Sequence, residues 1–301
     1  MNYIELFQAN LQENGKGIRT IAEYVAAVLT LEKWVEDRTG DEFNPDLITS
    51  RDLHDWVSFM QTVERLAPAT INKRIAAIKV YWSYLVQNDY STLDPTKKVK
   101  MKRISTLEQA PKWLSRSEQD RFLHAIEKEK NPWKKSRNVA IAQVMLQAGL
   151  RISEVASLNI QDIDLRRKTI TVIAGKGAKN RIALMNPDLM KAMETWFEVR
   201  GEIDEKVLFP SERGHNRMTR QGVHYLIKKY LDSIGLVDYS AHSLRHSFCR
   251  NLVDAHQPLQ VIAQLAGHES LETTRRYITP SESDLRRAVE SISSEKKNRK
   301  N

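Results

Sequence analysis

The sequence predicts a mainly α-helical protein of two domains, with one small antiparallel β-sheet. Three observations predict it. Apolar residues recur at helical spacing through the first hundred positions and again through most of the second half. At 168–185 the period shortens to that of a strand pair. The charge changes sign at Arg65: residues 1–64 hold 5 Lys/Arg against 12 Asp/Glu, and residues 65–105 hold 9 against 2. A length of 301 residues accommodates two domains of ordinary size.

In the first domain, Ile21, Val25, Val28, Leu29, Leu31 and Trp34 predict a helix over Thr20–Asp37, closed by Gly40 and Pro45. Ser50, followed by Leu53, Trp56, Val57 and Met60, predicts a capped second helix. The clearest helix is Pro68–Gln87. There Ile71, Ile75, Ile78, Trp82 and Leu85 form one stripe, with proline in the first turn. Lys73, Arg74 and Lys79 lie off the stripe, where a basic face can meet phosphates or simply be solvated. The domain is expected to end at residue 92. A basic linker is expected over 93–111, with Lys97, Lys98, Lys100, Lys102 and Arg103 crowded into seven positions.

The second domain is expected over 112–292. Ser115 and Glu118 have the spacing of a capping box, and 136–148 forms an apolar helix stopped by Gly149. Ile152–Leu158 is a short amphipathic segment. Lys168–Ile173 and Arg181–Met185 read as strands joined by a hairpin turn over 175–180. Residues 187–292 read as mainly helical, with Leu285, Ala288, Val289 and Ile292 striping a terminal helix over 283–292. Residues 293–301 form a polar tail.

The net charge of +9 favours a polyanionic partner, most simply nucleic acid. No apolar run approaches the ~20 residues of a membrane span, and neither a membrane segment nor a signal peptide is expected. The single cysteine, Cys249, makes no internal disulfide, fits a cytoplasmic protein, and is expected in a core.

The chemistry gathers late in the chain. His242, Arg245 and His246 open one helix, with His242 and Arg245 sharing a face; Gly267-His268 ends another, and Tyr277 follows. Arg151 stands just past the helix-stopping Gly149. Lys176 sits between two glycines, and this frame suits a tight turn better than that of its rival Lys179. Such a set can grip a phosphate, move protons and supply a covalent nucleophile. His242 and His246 stand four apart but lack the glutamate of a zinc-protease helix and any cysteine pair, so no metal is expected.

These motifs are AGLRISE at 148–154, GKGAKNR at 175–181, HSLRHSF at 242–248 and LAGHESLETTRRY at 265–277. In order and spacing the chain resembles the tyrosine recombinases, or phage integrases, of the simple chromosomal-dimer-resolvase or transposon-encoded kind. PATINKRIAAIKVYWSYL at 68–85 is similar to their helical core-binding domain. The resemblance implies site-specific recombination of duplex DNA, in which Tyr277 attacks a phosphodiester and forms a 3′-phosphotyrosine. It implies that Arg151 and Arg245 hold the non-bridging oxygens and that Lys176 protonates the leaving 5′-oxygen. His242 transfers a proton with Tyr277 or orients the phosphate, and His268 donates to the phosphate. It further implies no metal, ATP or other cofactor, and a homo-tetramer on two DNA sites that is monomeric or weakly associated off DNA. Accessory proteins and a nucleoid location are part of the same expectation. The terminal helix is expected to dock on a neighbouring subunit. Lys73, Arg74, Lys79, the linker cations, Lys179 and Arg181 are the candidate DNA contacts. Two readings keep the fold with another outcome: a non-catalytic DNA-binding accessory protein, and a topoisomerase-like enzyme that nicks and reseals. His246 is read as structural, and Glu154 as a helical partner of Arg151. His256 stands where the family often has a turn glycine, with mild strain expected there.

Overall fold

The computed structural model describes residues 3–102, 111–173, 180–201, 206–212, 216–268, 270–275 and 277, with the isolated positions 286 and 289. The chain divides into two units, Met1–Gln109 and Ala110–Asn301.

The described part of the first unit is helical: α1 (Tyr3–Glu13), α2 (Ile18–Thr39), α3 (Ser50–Thr62) and α4 (Pro68–Gln87). The α4 stripe of Ile71, Ile75, Ile78, Trp82 and Leu85 is buried, meeting Val28 and Leu31 of α2 and Trp56 and Met60 of α3 in one core. The cap of α3 is Thr49, one residue before the expected Ser50. Its hydroxyl accepts from the Asp52 N–H at 3.3 Å, and the Asp52 carboxylate accepts from the Thr49 N–H at 3.0 Å. Helix α1 was not evident in the sequence. It buries only Phe7 and Leu11, a stripe too short to establish a period. Phe7 is nevertheless fully buried, edge-on to Tyr81 with ring centroids 5.2 Å apart.

Residues 95–102 do not run as an extended linker. Pro95–Lys98 form a 3-10 turn, and Pro95, Thr96 and Val99 are buried. The Ser50 hydroxyl donates to the Pro95 carbonyl at 2.8 Å. The Asn72 amide brackets Lys102, donating to its carbonyl at 2.8 Å and accepting from its N–H at 2.7 Å. A buried valine and one amide side chain thus attach this basic run to the first unit, while Lys97, Lys98 and Lys100 stay exposed. Lys73 is exposed and Lys79 half-buried, whereas Arg74 is ion-paired with Glu64 at 2.8 Å. Arg103 lies outside the described residues.

The second unit is built on α6 (Pro132–Gln147), whose Ala140, Ile141, Val144 and Met145 are fully buried. It is preceded by α5 (Arg116–Glu127), closed by the Ser115–Glu118 capping box, and followed by α7 (Ile152–Ser157). The sheet has order β1-β2-β3 and is antiparallel throughout: β1 (Ile163–Asp164), β2 (Thr169–Val172) and β3 (Arg181–Leu184). The two-residue β1 is too short to show a period and was not anticipated. Register pairs Val172 with Arg181; of the turn between them, 174–179 lie outside the described residues, including Lys176 and Lys179. Helices α8 (Pro187–Arg200), α9 (Arg220–Ser233), α10 (Ala241–Asp254), α11 (Leu259–Ala266) and α12 (Leu271–Arg275) complete the described unit. His256 has φ +54°, the left-handed conformation that favours glycine. Of the terminal helix expected over 283–292, only positions 286 and 289 are described.

Phe7→Ala tests whether α1 belongs to the first core. It is expected to cost about 3–5 kcal/mol, read as a lowered urea midpoint of the first unit's tryptophan fluorescence.

Candidate active site

Helix α10 carries the candidates His242 and Arg245, with His246 beside them, and is pinned from behind. Its Ser247 hydroxyl accepts from the Leu114 N–H at 2.8 Å. Its Asn251 and the α5 residue Gln119 exchange amide hydrogen bonds at 3.0 and 3.1 Å. On this fixed helix Arg245 is 2% exposed. Its guanidinium donates to the Gly149 carbonyl at 2.5 Å and to the Ala266 carbonyl at 2.6 Å. Arg151, ahead of α7, donates to the Gly267 carbonyl at 2.9 Å. These carbonyls lie at or just beyond the C-termini of α6 and α11, where backbone acceptors lack helical partners and cations are favoured.

The two glycines make these contacts possible. Gly149 and Gly267 have φ of +63° and +66°, a conformation that L side chains rarely adopt. A Cβ on Gly149 would stand 2.3 Å from the Phe248 ring, and one on Gly267 would stand 2.6 Å from the Arg181 side chain.

Glu154 is the carboxylate of the cluster. It accepts from Arg151 Nη1 at 2.9 Å and the Arg151 N–H at 2.7 Å, and from Arg181 Nη1 and Nη2 at 2.8 and 2.9 Å. Burial pushes its pKa up, but the bonds from Arg181 and Arg151 outweigh this and hold it below the usual carboxylate value. Arg181, expected on the DNA backbone, is instead a largely buried bidentate partner of Glu154. Strand periodicity gives no sign of this, because the pair joins β3 to α7. Three guanidinium groups therefore face one carboxylate. Burial first, and Arg151 second, lower the pKa of Arg245 to about 10, so it keeps its charge at neutral pH.

Two of the histidines are held below their ordinary pKa. Burial, then Arg245 and Arg151, push His242 below its ordinary value and His268 down to about 4. His268 Nδ1 lies 2.8 Å from the hydroxyl of Thr274, which is fully buried. With that hydroxyl donating to Nδ1, Nε2 carries the proton, the form able to donate to a phosphate oxygen.

Tyr277 is 2% exposed and packs with Phe248, Cys249, Ile262 and Ala266. Its ring stacks parallel to His268 at 6.0 Å. Its hydroxyl lies 2.5 Å from His246 Nδ1. The structure thus brings His246 to the tyrosine oxygen, and His242 meets the His246 ring edge-on at 4.4 Å. His246 sits one residue past Arg245, but i, i+3 pairing in the sequence drew attention to His242. Burial pushes the Cys249 thiol up to about 11, against the pull of Arg245 and a hydrogen bond with Tyr277.

A mostly helical domain with a three-stranded sheet, gathering a cluster of arginines around one buried guanidinium, three histidines and a tyrosine, defines a protein of the tyrosine recombinase class. Residues 112–284 match the family model for the phage integrase family, and residues 3–92 match the model for the phage integrase N-terminal SAM-like domain. The chain belongs to the phage integrase family and is an enzyme of site-specific DNA recombination. It is 30% identical to tyrosine recombinase XerC of Herpetosiphon aurantiacus, over 91% of this chain and 89% of that one. It is 24% identical to the TnP I resolvase of Bacillus thuringiensis, over 96% and 99%. The Tn1549 transposon integrase in complex with a circular intermediate DNA shares the fold, with TM-score 0.74 and 18% identity over 97% of this chain and 100% of that one. So does XerH bound to palindromic difH in a post-cleavage complex, with TM-score 0.73 and 24% identity over 96% and 85%.

Gly149→Ala is expected to destabilise the second unit by more than about 2 kcal/mol, because left-handed strain and the Phe248 overlap add; urea unfolding checks it. The depressed pKa of His268 also gives stability a pH dependence. Below about 6.5 the unfolded histidine binds a proton, while the folded one binds it only near 4. Stability should fall as pH drops across that window, and His268→Gln should flatten this part of the Tm-against-pH curve.

Proposed function

We propose that Tyr277 is the nucleophile that breaks and rejoins DNA through a 3′-phosphotyrosine, with Arg151 and Arg245 holding the scissile phosphate. The observation that carries this reading is the excess of guanidinium over carboxylate beside the tyrosine. Carbonyl dipoles orient the buried Arg245 without neutralising it, so an arriving phosphate supplies the missing anion. His268 donates to that phosphate, Lys176 protonates the 5′-oxygen as it leaves, and His242 helps orient the group. The tyrosyl ester conserves the energy of the broken bond, so rejoining needs neither ATP nor a metal.

The helical first unit serves as the core-binding module. Lys73, Lys79, Lys97, Lys98, Lys100, Lys102, Arg103 and Lys179 contact the DNA backbone, with affinity that falls as salt rises. Exchange takes place in a homo-tetramer on two sites, in the cytoplasm at the nucleoid. The striped segment 283–292 docks on a neighbouring copy. A groove of about 400 Å³, lined in part by Leu146, Leu184, Phe248, Leu252 and Leu265, offers an apolar seat that supports this docking.

The reading is tested with nicked duplex from the DNA flanking the protein's own coding sequence, incubated in EDTA so that cleavage traps the protein. Wild type should give a covalent band and Tyr277→Phe none. Arg245→Lys should lower the rate about 10²–10³-fold. Deleting 282–301 should reduce strand exchange while trapped cleavage survives in part; undiminished exchange would exclude docking in trans.

A further inference from the structure

We propose that the first unit carries a binding pocket for a small organic cation: a cavity between α1, α2, α4 and the loop after α2 takes an ammonium or guanidinium group, held by Glu32, Glu42 and the hydroxyl of Tyr81. All of its residues belong to the first unit, so the proposal is independent of the reading of Tyr277.

The cavity has a volume of about 310 Å³, at the small end of the range for ligand pockets. Tyr3 of α1, Glu32 of α2, Glu42, Phe43 and Pro45 of the loop, and Tyr81 of α4 line it. Packing fixes these walls. Tyr81 is fully buried, edge-on to Phe7 at 5.2 Å and to Trp82 at 5.4 Å. Phe43 meets Trp82 edge-on at 6.5 Å, and its N–H donates to the Glu36 carboxylate at 3.3 Å, which holds the loop against α2. Pro45 is buried and opens a 3-10 turn, Pro45–Leu47, capped by Asn44.

Two independent observations point to a ligand. The first is the Tyr81 hydroxyl, which is covered yet has no hydrogen-bond partner among the described residues. Such a group costs stability until a partner reaches it. Burial first, and then Glu32 and Tyr3, push this phenol well above its ordinary value, so it keeps its proton. Glu32 and Tyr3 both line the cavity, which places the hydroxyl on the cavity side of α4. The second is uncompensated charge. The side chains of Glu32 and Glu42 form no ion pair among the described residues. Burial first, then Glu36 and Glu42, push the Glu32 carboxyl above its ordinary value.

The chemistry of the lining selects the ligand. Carboxylates repel an anion. A hard metal ion needs several oxygens at about 2.0–2.6 Å, and among the described residues no three acidic, histidine or cysteine side chains gather closely enough to hold one. An ammonium has three N–H donors and a guanidinium five, enough to reach two carboxylates and a phenol oxygen at once. The aromatic rings of the lining suit both the charge and the methylene groups of such a molecule. A bound cation would join α1 to α2 and α4. That matters most for α1, which buries only Phe7 and Leu11.

The test titrates spermidine, putrescine and L-arginine separately into the full chain by calorimetry at constant ionic strength, with Tm measured in parallel. At least one should bind at one site per chain and raise the Tm. A response to the amines alone identifies an ammonium ligand, and a response to arginine identifies a guanidinium; either supports the pocket. Glu32→Gln and Tyr81→Phe should each weaken binding about tenfold or more. Without ligand, Tyr81→Phe should melt at or above the wild-type temperature, because it removes an unpaired buried hydroxyl; a lowered Tm would show that the hydroxyl already has a partner and overturn the proposal. Silence from all three probes would overturn it. Affinity unchanged in both variants would place the cation elsewhere and overturn it equally. Tetramethylammonium, which has no N–H donor, and Mg²⁺ serve as controls: binding as strong as that of the amines would reduce the effect to charge screening and defeat the assignment.

Discussion

Two arginine side chains are seated on backbone carbonyls at the ends of two helices, and the site is arranged around that contact. Arg245 reaches Gly149 and Ala266, and Arg151 reaches Gly267. Each guanidinium satisfies backbone acceptors at or just past a helix end, so the ends of α6 and α11 orient the two arginines. The arrangement tolerates no Cβ at Gly149 or Gly267, since one would enter the Phe248 ring and the other the Arg181 side chain. Local stability and function therefore rest on the same atoms.

The electrostatics follow from that seating. Carbonyl dipoles hold a guanidinium without cancelling its charge, and the cluster's carboxylate, Glu154, is shared between Arg151 and Arg181. The resulting positive field and the burial act together on the nearby imidazoles and keep His242 and His268 neutral. A neutral imidazole can donate with one nitrogen and accept with the other, which proton transfer to and from a tyrosine requires. An anion in the site would relieve the repulsion among the arginines, so binding of a phosphate and the protonation state of its surroundings are coupled.

Much of this was legible along the chain. The 4-3-4-3 stripe of α4, the Ser115–Glu118 box and the switch to strand periodicity at β2 and β3 are local signals, and each element formed where its signal lay. The i, i+3 spacing of Arg151 and Glu154 likewise announced their pairing. Where the local signal was short, the reading fell silent: α1 buries two side chains, and β1 contains two residues. Residues 95–102 read as a linker because nothing in their own composition shows that Asn72 will bracket Lys102 or that Val99 will enter a core.

The sequence by itself determined the helical class, the two-part organisation and the family, because periodicity, caps and motif spacing are properties of neighbours along the chain. Tertiary structure alone decided which side chains meet across the site. Arg181 turned from a supposed DNA contact into the partner of Glu154. His246 reached the hydroxyl of Tyr277, 31 positions away. Such pairings depend on how α10, α11 and β3 pack, and packing brings together residues whose separation in sequence carries no record of their distance in space.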